Sequence, residues 1–517
     1  MRLPTRASAV TRAAVMFLLE RARAVPHLPL MRVGTIGLIA VGVAAGCKGN
    51  GGGGSDGGGG GGGEVQPGTR VVNMIPASLG GEASQDAEPF LTVLPGNAAI
   101  MAASAFTPNP AGSSSTTAPI YVTQDSGKTW ALRATVPSDV TTADITEAFD
   151  GGGGDLYAGI LSVSASLLLD ELKTGDVFSV APMSVQSSRG NVDQPFVRAT
   201  SVGTADRVYI GMNDFDAPSG QTATVDVSQN GGATYASARV ETRATAEQDG
   251  PSVRPSVATD HTVYVAYFGW RAFTGNVATS DVVVVRDDNG ATGPTRFRDL
   301  VDPGDGQPGR VVAHNVTIPW SNAPTLGQER IGSTLSLAVD PNHSTTVYVA
   351  WADRVGSGDI YTVHVRRSTD RGVTWSGDLR TLTNATNASL AVADNGTVGL
   401  LYQQVSGTGA ASRWVTHLER SKDGFATKSD LVLATVPANA PAPDFLPYLG
   451  DYTGLLAVGG ELRGVFSANN TPDSTDFPQG VVYQRSADFT AHRLVDGTGT
   501  TVAVSIDPFY FSVPVLP

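Results

Sequence analysis

Arginines, carboxylates and aromatic residues recur in this chain where short apolar strands are predicted to start, and in some of the loops between strands. Those at predicted strand starts are Glu88, Asp193, Gln194, Arg254, Arg330, Tyr448, Asp451 and Tyr452. Those in predicted loops are Asn213, Asp214, Asp216, Trp270, Arg271, Asp353 and Arg354. Arg binds a carboxylate through two parallel hydrogen bonds, aromatic rings stack on sugars, and Asp or Glu transfers protons. Brought together by a fold, this mixture suits an acidic sugar.

The strands that would position these residues repeat along the chain. An apolar inner strand introduced by a polar residue, often with Pro, is predicted at 88–93, 194–197, 254–257, 333–337, 388–392 and 450–456. A second strand is predicted at 207–211, 262–268, 346–351, 398–403 and 462–467. Pro is tolerated at a strand start because no ladder N–H is needed there. A unit of roughly 50 residues is typical of a propeller blade with four short strands.

A turn motif also recurs: a hydroxyl residue, any residue, Asp or Asn, any residue, Gly, any residue, Thr and an aromatic. Good copies lie at 123–130, 228–235 and 368–375, and weaker ones at 286–290, 421–427 (one residue short) and 486–490. The Asp or Asn side chain can accept hydrogen bonds from backbone N–H groups, and Gly takes a positive φ. We therefore expect structural roles, in the turn or in the core beneath it, for Asp125, Trp130, Asn230, Asp370, Trp375 and Asp423.

The turn motif resembles the Asp box, or BNR repeat, of sialidases and related β-propellers, over roughly residues 86 to 500. The resemblance implies an all-β fold, a single β-propeller of four-stranded antiparallel blades. The six copies, with an eroded unit at Gly175-Asp176, predict seven blades. Six blades, the sialidase number, are the alternative. The long gap before the copy at 368–375 predicts an insertion at 302–328.

The resemblance also predicts a site. If the turn motif joins the third and fourth strands, first-strand starts and second-to-third loops lie on the opposite face, which sialidases use for catalysis. Sialidases need three Arg for the substrate carboxylate, an Asp acid/base and a Tyr nucleophile assisted by Glu. The suggested roles are Arg254, Arg330 and Arg354 for the carboxylate, Tyr452 as nucleophile, Asp193 or Asp451 as acid/base, and Glu88 and Trp270 as further substrate contacts. Glu88-Pro89 stands where sialidases have Arg-Ile-Pro or Arg-Leu-Pro.

Two function classes remain open. One is a sialidase-type glycoside hydrolase or a related enzyme acting on acidic glycans, which the Arg- and acid-rich set of residues favours. The other is a non-catalytic propeller that binds glycan or protein at the cell surface, which the missing Arg motif favours. A polysaccharide lyase is a third possibility. No cofactor or metal is expected, because the His residues lack zinc spacing and Asp302 and Asp305 lack that of an EF-hand calcium loop.

The N-terminal region predicts export. Met31-Arg32, an apolar run at 33–45 and Gly46-Cys47 resemble a bacterial lipoprotein signal with Cys47 as the lipidated residue, although Ala44 replaces the usual Leu. An ordinary signal peptide cut nearby is the alternative. We expect a signal region at 1–46 starting at Met31, a lipidated Cys and Gly-rich tether at 47–64, and the propeller at 65–517. The protein would be an exported lipoprotein anchored at the outer membrane or cell surface.

Charge limits the partners. From Cys47 onward the chain has 29 basic and 47 acidic residues, a net charge of −18. This balance argues against nucleic acid and anionic lipid surfaces. We expect a glycan or surface protein as partner, membrane contact through the lipid only, and a monomer. The single Cys excludes an intrachain disulfide.

Overall fold

A computed structural model of the chain shows seven sheets arranged as the blades of one β-propeller. It describes residues 65–517 except 107–116, 138–140, 164–165, 180, 276, 320–325, 327–328, 330–333, 356–360 and 444–446. The predicted all-β fold with seven blades is confirmed, and the six-bladed alternative is wrong. The predicted signal region, Cys47 and the tether lie outside the described residues.

Each of the first six blades consists of four consecutive strands, hydrogen-bonded in order from first to fourth. Strands are numbered in chain order, and the first, β1 (Arg70–Asn73), belongs to the last blade. Blades one to three contain β2 (Ala87–Val93), β3 (Met101–Phe106), β4 (Thr117–Thr123), β5 (Ala131–Pro137), β6 (Thr141–Phe149), β7 (Leu156–Val163), β8 (Leu167–Thr174), β9 (Ser184–Gly190), β10 (Val192–Val202), β11 (Ala205–Asp214), β12 (Ala223–Ser228) and β13 (Ala236–Arg239). Blades four to six contain β14 (Val253–Val257), β15 (Val263–Thr274), β16 (Val277–Asp287), β17 (Arg310–Pro319), β18 (Leu335–Val339), β19 (Val347–Arg354), β20 (Tyr361–Ser368), β21 (Arg380–Thr383), β22 (Ala385–Val392), β23 (Val398–Ser406), β24 (Arg413–Ser421) and β25 (Ser429–Pro437).

The seventh blade closes the ring with both ends of the described chain. Its order is β26 (Gly454–Val458), β27 (Glu461–Asn469), β31 (Ile506–Pro514), β1 and β28 (Val482–Tyr483). Because β1 pairs antiparallel with β31, the N-terminal strand supplies the fourth strand of a sheet whose first three strands come from the C-terminal part of the chain. The third and fourth strands are therefore not consecutive in the chain. The turn motif predicted at 486–490 is wrong, since those residues begin the separate hairpin of β29 (Ser486–Asp488) and β30 (Arg493–Val495).

The core lies between neighbouring blades, so most inner strands are covered on both faces. Val282–Val285 in β16 and Val347–Ala352 in β19 are buried continuously instead of alternating with exposed residues. Such apolar runs are typical of strands packed between two layers. No α-helix occurs among the described residues; the helical turns are single 3₁₀ turns at Ala77–Leu79, Pro218–Gly220 and Gly409–Ala411. No helix in the described ranges is long and apolar enough to cross a membrane.

Four copies of the turn motif share one hydrogen-bond pattern between the third and fourth strands of their blades. In the copy at 368–375, the Asp370 carboxylate accepts the Thr374 N–H (2.8 Å) and the Thr374 hydroxyl (2.6 Å), and Ser368 Oγ accepts the Gly372 N–H (2.8 Å). Asp125 and Asp423 bond in the same way. Asn230 also accepts the N–H of its Thr234, but its Nδ2 donates to the Thr234 hydroxyl. The copy at 421–427 is not one residue short, because Phe425 takes the Gly position with φ 68°.

The copy predicted at 286–290 differs from the others. Asp287, and not Asp288, holds this turn by accepting the N–H groups of Asn289 (2.9 Å) and Ala291 (2.8 Å). The turn opens into a long connection at 288–309. The predicted insertion at 302–328 is therefore wrong in its bounds, because it includes β17 (Arg310–Pro319), the fourth strand of blade four. Of the two motif tryptophans, Trp130 is buried, whereas Trp375 is only half-buried.

Candidate functional site

Bulges open the first strands of four blades. Pairing with the second strand skips two residues between Ala87 and Phe90, Thr142 and Ile145, Asp193 and Phe196, and Thr386 and Ser389. Three bulge residues have left-handed backbone: Glu88 (φ 56°), Gln194 (φ 60°) and Asn387 (φ 55°). Bulges, and a positive φ in residues other than Gly, cost free energy and are often found near functional sites, where they orient polar side chains.

Polar side chains from different blades meet at these strand starts. The Tyr452 hydroxyl is 3.2 Å from Asp144 Oδ2 and donates to the Pro195 carbonyl at 3.0 Å. Gln194 Nε2 donates to Asp451 Oδ2 at 3.0 Å, and Asp193 Oδ1 accepts the Gln194 N–H at 2.9 Å. We call the group the mouth cluster; its members are Glu88, Asp144, Asp193, Gln194, Arg254, Asp451 and Tyr452.

Arg254 lies on the aromatic part of the cluster. Its guanidinium carbon is 4.9 Å from the centre of the Tyr452 ring and 4.5 Å from that of Phe196. The Phe196 and Tyr452 rings are stacked with centres 6.5 Å apart, and the edge of Phe90 meets Phe196 at 5.1 Å. A cation over aromatic faces is held by the ring quadrupole, so the rings fix the position of the Arg254 guanidinium.

The mouth cluster is buried, and burial sets its protonation. Glu88 and Asp144 are each 1% exposed, and Arg254 and Tyr452 are each 3% exposed. Burial raises the pKa of Tyr452 well above its usual value, and the charges of Asp144, Glu88 and Asp193 raise it further against the opposing effect of Arg254. Burial lowers the pKa of Arg254, although Tyr452 and Asp144 oppose this change. At neutral pH Tyr452 therefore keeps its proton in this state, with the Pro195 carbonyl and the Asp144 carboxylate both within hydrogen-bond distance of its hydroxyl.

Close backbone packing fixes Glu88 in the cluster. Its N–H donates to the Leu449 carbonyl at 3.3 Å, and the Leu449 N–H in turn donates to Glu329 Oε2 at 2.7 Å. Gly450 has φ 104°, and a Cβ there would lie 2.5 Å from the Glu88 Cα. Only Gly fits this position, because any side chain would push Glu88 out of place.

A narrow axial channel continues from the cluster between the first strands. Phe196, Arg198, Thr334, Ser336 and Leu456 are among its lining residues, and the space open to water is about 40 Å³. That space holds roughly three water molecules. A sugar ring does not fit inside, so a glycan would have to meet the cluster from outside, where Asp193, Phe196 and Arg198 keep exposed surface.

The structure brings together some predicted site residues and separates others. Glu88, Asp193, Arg254, Asp451 and Tyr452 belong to the mouth cluster. Arg330 lies outside the described residues. Placing Arg354 and Trp270 in the site was wrong. Arg354 is the last residue of β19 and lines a side groove with His314 and Arg366, and Trp270 is 1% exposed inside β15, stacked on Phe273 at 5.0 Å.

Sequence reasoning missed Asp144, Phe196 and Arg198. Asp144 belongs to β6, whose opening residues Thr141–Asp144 lack the Pro-containing signature of the other first strands. Phe196 and Arg198 lie within the predicted strand at 194–197 or beside it. Alternation along β10 from Gln194 would have pointed to Phe196 and Arg198 on one face, because side chains on a strand alternate.

One acidic group among the described residues has the geometry for a metal ion. Carboxylate oxygens of Asp150, Asp155 and Asp206 lie within 4.8 Å of one another. Protein donors already satisfy them: Gly153 and Gly154 N–H at 2.7 Å each, Lys173 at 2.6 Å, Tyr157 at 2.8 Å and Ser201 at 2.7 Å. Each of the three carboxylates thus accepts hydrogen bonds from protein groups, so the group fits a structural role.

Comparisons with known proteins relate the chain to other propellers only distantly. No family model matches the chain, and no curated protein matches it. Among solved structures, a protein of unknown function from Dyadobacter fermentans is 11% identical, covers 86% of this chain and all of its own, and has a TM-score of 0.40. An α-L-arabinofuranosidase from Fusarium graminearum is 11% identical, covers 70% of this chain and 96% of its own, and has a TM-score of 0.40. A polysaccharide lyase described as an ulvan lyase is 11% identical, covers 75% and 92%, and has a TM-score of 0.45.

Proposed function

We propose that the protein acts on acidic glycans at the mouth cluster, as a glycoside hydrolase of sialidase type. The observation that carries the proposal is the Tyr452 hydroxyl, 3.2 Å from the Asp144 carboxylate and beside the Arg254 guanidinium. A Tyr with a carboxylate to take its proton is a nucleophile with a base, and an adjacent Arg supplies a ligand for the carboxylate of the sugar.

The proposed reaction requires the buried cluster to open to the sugar, and it then proceeds in two displacements. Tyr452 Oη attacks the anomeric carbon while Asp144 accepts the phenol proton, and Asp451 or Asp193 protonates the departing glycosidic oxygen. Water then attacks the anomeric carbon, its proton returns to the acid/base carboxylate, and the bond to Tyr452 breaks as Asp144 gives back the proton. Arg254 binds the sugar carboxylate through both steps. Moving the Tyr452 proton to Asp144 is needed because burial strongly favours the neutral phenol.

A panel of fluorogenic α-sialosides and uronides, tested on the purified 65–517 segment, decides whether the site is catalytic. We expect hydrolysis of at least one acidic substrate and a fall of roughly 10²- to 10⁴-fold in kcat for Tyr452→Phe and Asp144→Asn, the contribution of a positioned proton-transfer group. Tyr402→Phe is the matched control, because the Tyr402 hydroxyl also contacts a carboxylate, Glu419 at 3.3 Å, but in blade six away from the mouth cluster. Equal activity in Tyr452→Phe and Tyr402→Phe would remove Tyr452 from the mechanism.

A non-catalytic propeller that binds glycan or protein is the second candidate. The burial of the mouth cluster favours it, because Glu88, Asp144, Arg254 and Tyr452 are almost completely covered. Three Arg residues were predicted to bind the substrate carboxylate. Among the described residues, only Arg254 of these three lies in the cluster. Binding of an acidic glycan with no turnover, and with unchanged affinity in Tyr452→Phe, would support this candidate.

We further propose that the turn motifs are Asp boxes and that Cys47 carries a lipid that holds the propeller at a membrane. The common hydrogen-bond pattern of Asp125, Asn230, Asp370 and Asp423 supports the first point. The apolar run and Gly46 before Cys47 support the second. Incorporation of a labelled fatty acid into the wild-type chain, and its loss in Cys47→Ser, tests the anchor; an unlabelled wild-type chain would exclude it.

A further inference from the structure

An open groove with three arginines lies on the outer side of the propeller, between blades three and four. One wall is β13, the fourth strand of blade three, and the other is the connection at 288–309 from blade four. The groove has a volume of about 480 Å³, within the range of roughly 300–1,000 Å³ that is usual for ligand sites. We call it the arginine groove; its lining residues include Arg239, Arg296 and Arg298.

The three guanidinium groups bond only to neutral acceptors. Arg239 donates to Gln221 Oε1 at 3.1 Å, Arg296 to the Ala291 carbonyl at 2.8 Å, and Arg298 to the Arg239 carbonyl at 3.4 Å. Within the described part of the chain none of them forms an ion pair, and Arg298 Nη1 is buried with no hydrogen-bond partner. Burial lowers the pKa of Arg298 against the opposing effects of Tyr267 and Glu241, and the positive charge of Arg239 lowers it further. The groove thus holds three positive charges close together, and their N–H groups are not all used in hydrogen bonds.

The acidic group in the groove does not balance these charges. Glu241 also lines it, but this carboxylate is paired with Arg271 at 2.8 Å and accepts the N–H groups of Thr242 and Arg243, both at 2.7 Å. Arg271 is paired with Asp281 as well. The arginine groove is therefore a local positive site on a chain whose net charge is strongly negative.

The walls of the groove are fixed to each other. Arg243 binds Asp305 with two hydrogen bonds of 2.6 and 3.1 Å, and Gln229 donates to the Gly290 carbonyl at 3.1 Å. Each contact joins blade three to the 288–309 connection. A groove held open in this way offers its arginines in a preorganised arrangement, which lowers the entropic cost of binding.

The rest of the lining indicates the class of ligand. Gln221, Ser237, Thr242 and Thr295 supply hydroxyl and amide groups, and none of the residues that line the groove is aromatic. Hydroxyl and amide groups match sugar hydroxyls, Arg matches carboxylate or sulfate, and the lack of aromatic rings disfavours a nucleobase, which needs stacking. We infer that the arginine groove is a second glycan site that binds the carboxylate or sulfate groups of an acidic polysaccharide chain.

This site goes beyond the proposed hydrolase and does not depend on it. The test is therefore binding, measured by calorimetry at low and high salt with three hexasaccharides: oligogalacturonate, which carries carboxylates, a heparin fragment, which also carries sulfates, and neutral maltohexaose. We expect the acidic chains to bind, more weakly as salt rises, and maltohexaose not to bind. If both acidic chains bind, carboxylate groups are sufficient for recognition by the groove. If only the heparin fragment binds, the groove recognises sulfate groups.

Substitutions then locate the binding. Arg239→Gln, Arg296→Gln and Arg298→Gln should each weaken it by about 10- to 100-fold, the effect of one lost charged hydrogen bond. Arg493→Gln is the charge-matched control, since Arg493 is half-exposed on the hairpin beside blade seven. Tyr452→Phe should keep the affinity, which separates this site from the mouth cluster. Thermal melts check that each variant is folded. If Arg298→Gln unfolds the protein, Arg296→Gln, a substitution in a loop, still tests the groove.

Two results would overturn the inference. One is the absence of binding by either acidic chain at low salt. The other is wild-type affinity in the folded Arg239→Gln and Arg296→Gln variants, or an equal loss in Arg493→Gln, because binding would then depend on general charge and not on the groove.

Discussion

Gly127 is a sensitive test of how the ring closes. It lies in the turn between β4 and β5 of blade one with φ 77°, and a Cβ there would overlap the ring of Tyr510 from β31, with Cδ1 and Cζ both 2.7 Å away. Tyr510 is fully buried and packs against Trp130 at 5.5 Å, so its ring has no room to move. Gly127→Ala should therefore strain the contact between the first and last blades.

The expected loss of unfolding free energy in Gly127→Ala has two parts. A left-handed φ costs an L-residue about 1–2 kcal/mol, and overpacking a filled core costs about 1–3 kcal/mol, so the sum is about 2–5 kcal/mol. Gly96 is the matched control, since it has φ 79° in the same blade and no atom within 4 Å of the added Cβ. Gly96→Ala should lose only the first part. The assay is urea unfolding of both variants, with retained circular dichroism as the check on fold. Equal unfolding free energies for the two variants would show that Tyr510 does not pack against this turn.

Two further predictions concern single carboxylates. Asp370→Ala should lower the unfolding free energy by about 1–2 kcal/mol, because two hydrogen bonds from Thr374 are lost. Asp370→Asn should lose less, since Asn230 in its own copy accepts the Thr234 N–H and donates to the Thr234 hydroxyl. Equal thermal melts of the Ala and Asn variants would contradict this. Burial raises the pKa of Glu147 to about 8 against the opposing bond from Ser104. Between the ordinary Glu pKa and about 8, the folded state binds one more proton than the unfolded state, so the unfolding free energy should fall as pH rises through this range. Glu147→Gln should flatten this dependence of stability on pH. An unchanged dependence in the variant would assign the titration to another group.

The fold was predictable because its repeated parts require particular residue types. The turn motif contains two residues with left-handed backbone, and a side chain in the turn accepts its backbone N–H groups. Such a turn favours Asp or Asn two residues before Gly, so the sequence pattern of Asp370 and Gly372 predicts it. Phe425 shows the limit, because it takes the Gly position in a turn that otherwise bonds identically. Ring closure by β1 was not predictable, since a four-residue strand carries no signal for a partner more than 400 residues away.

Errors in the predicted site came from strand length. The second strand of blade four was predicted to end at 268 but continues to Thr274, so Trp270 faces the core and not a loop. Arg354 was placed in a loop but ends β19 and points into a side groove. Strand ends depend on pairing with neighbours that are distant in sequence, which is why their positions are less certain than their existence.

The distribution of charge around the axis is the last argument for a site at the mouth. Repeated blades would give similar residues at each first strand if the inner ring served only packing. Blades five and six instead contribute the neutral pair Thr334 and Thr386, whose hydroxyls bond at 2.8 Å. The charged members of the mouth cluster come from blades one to four and seven, which follow one another around the ring. Burying them costs several kcal/mol for each ion that is not fully compensated, and apolar residues would fill the same space without that cost. Buried acids around Arg254 and Tyr452 are therefore retained at a cost in stability, which supports the proposal of a functional site at the mouth.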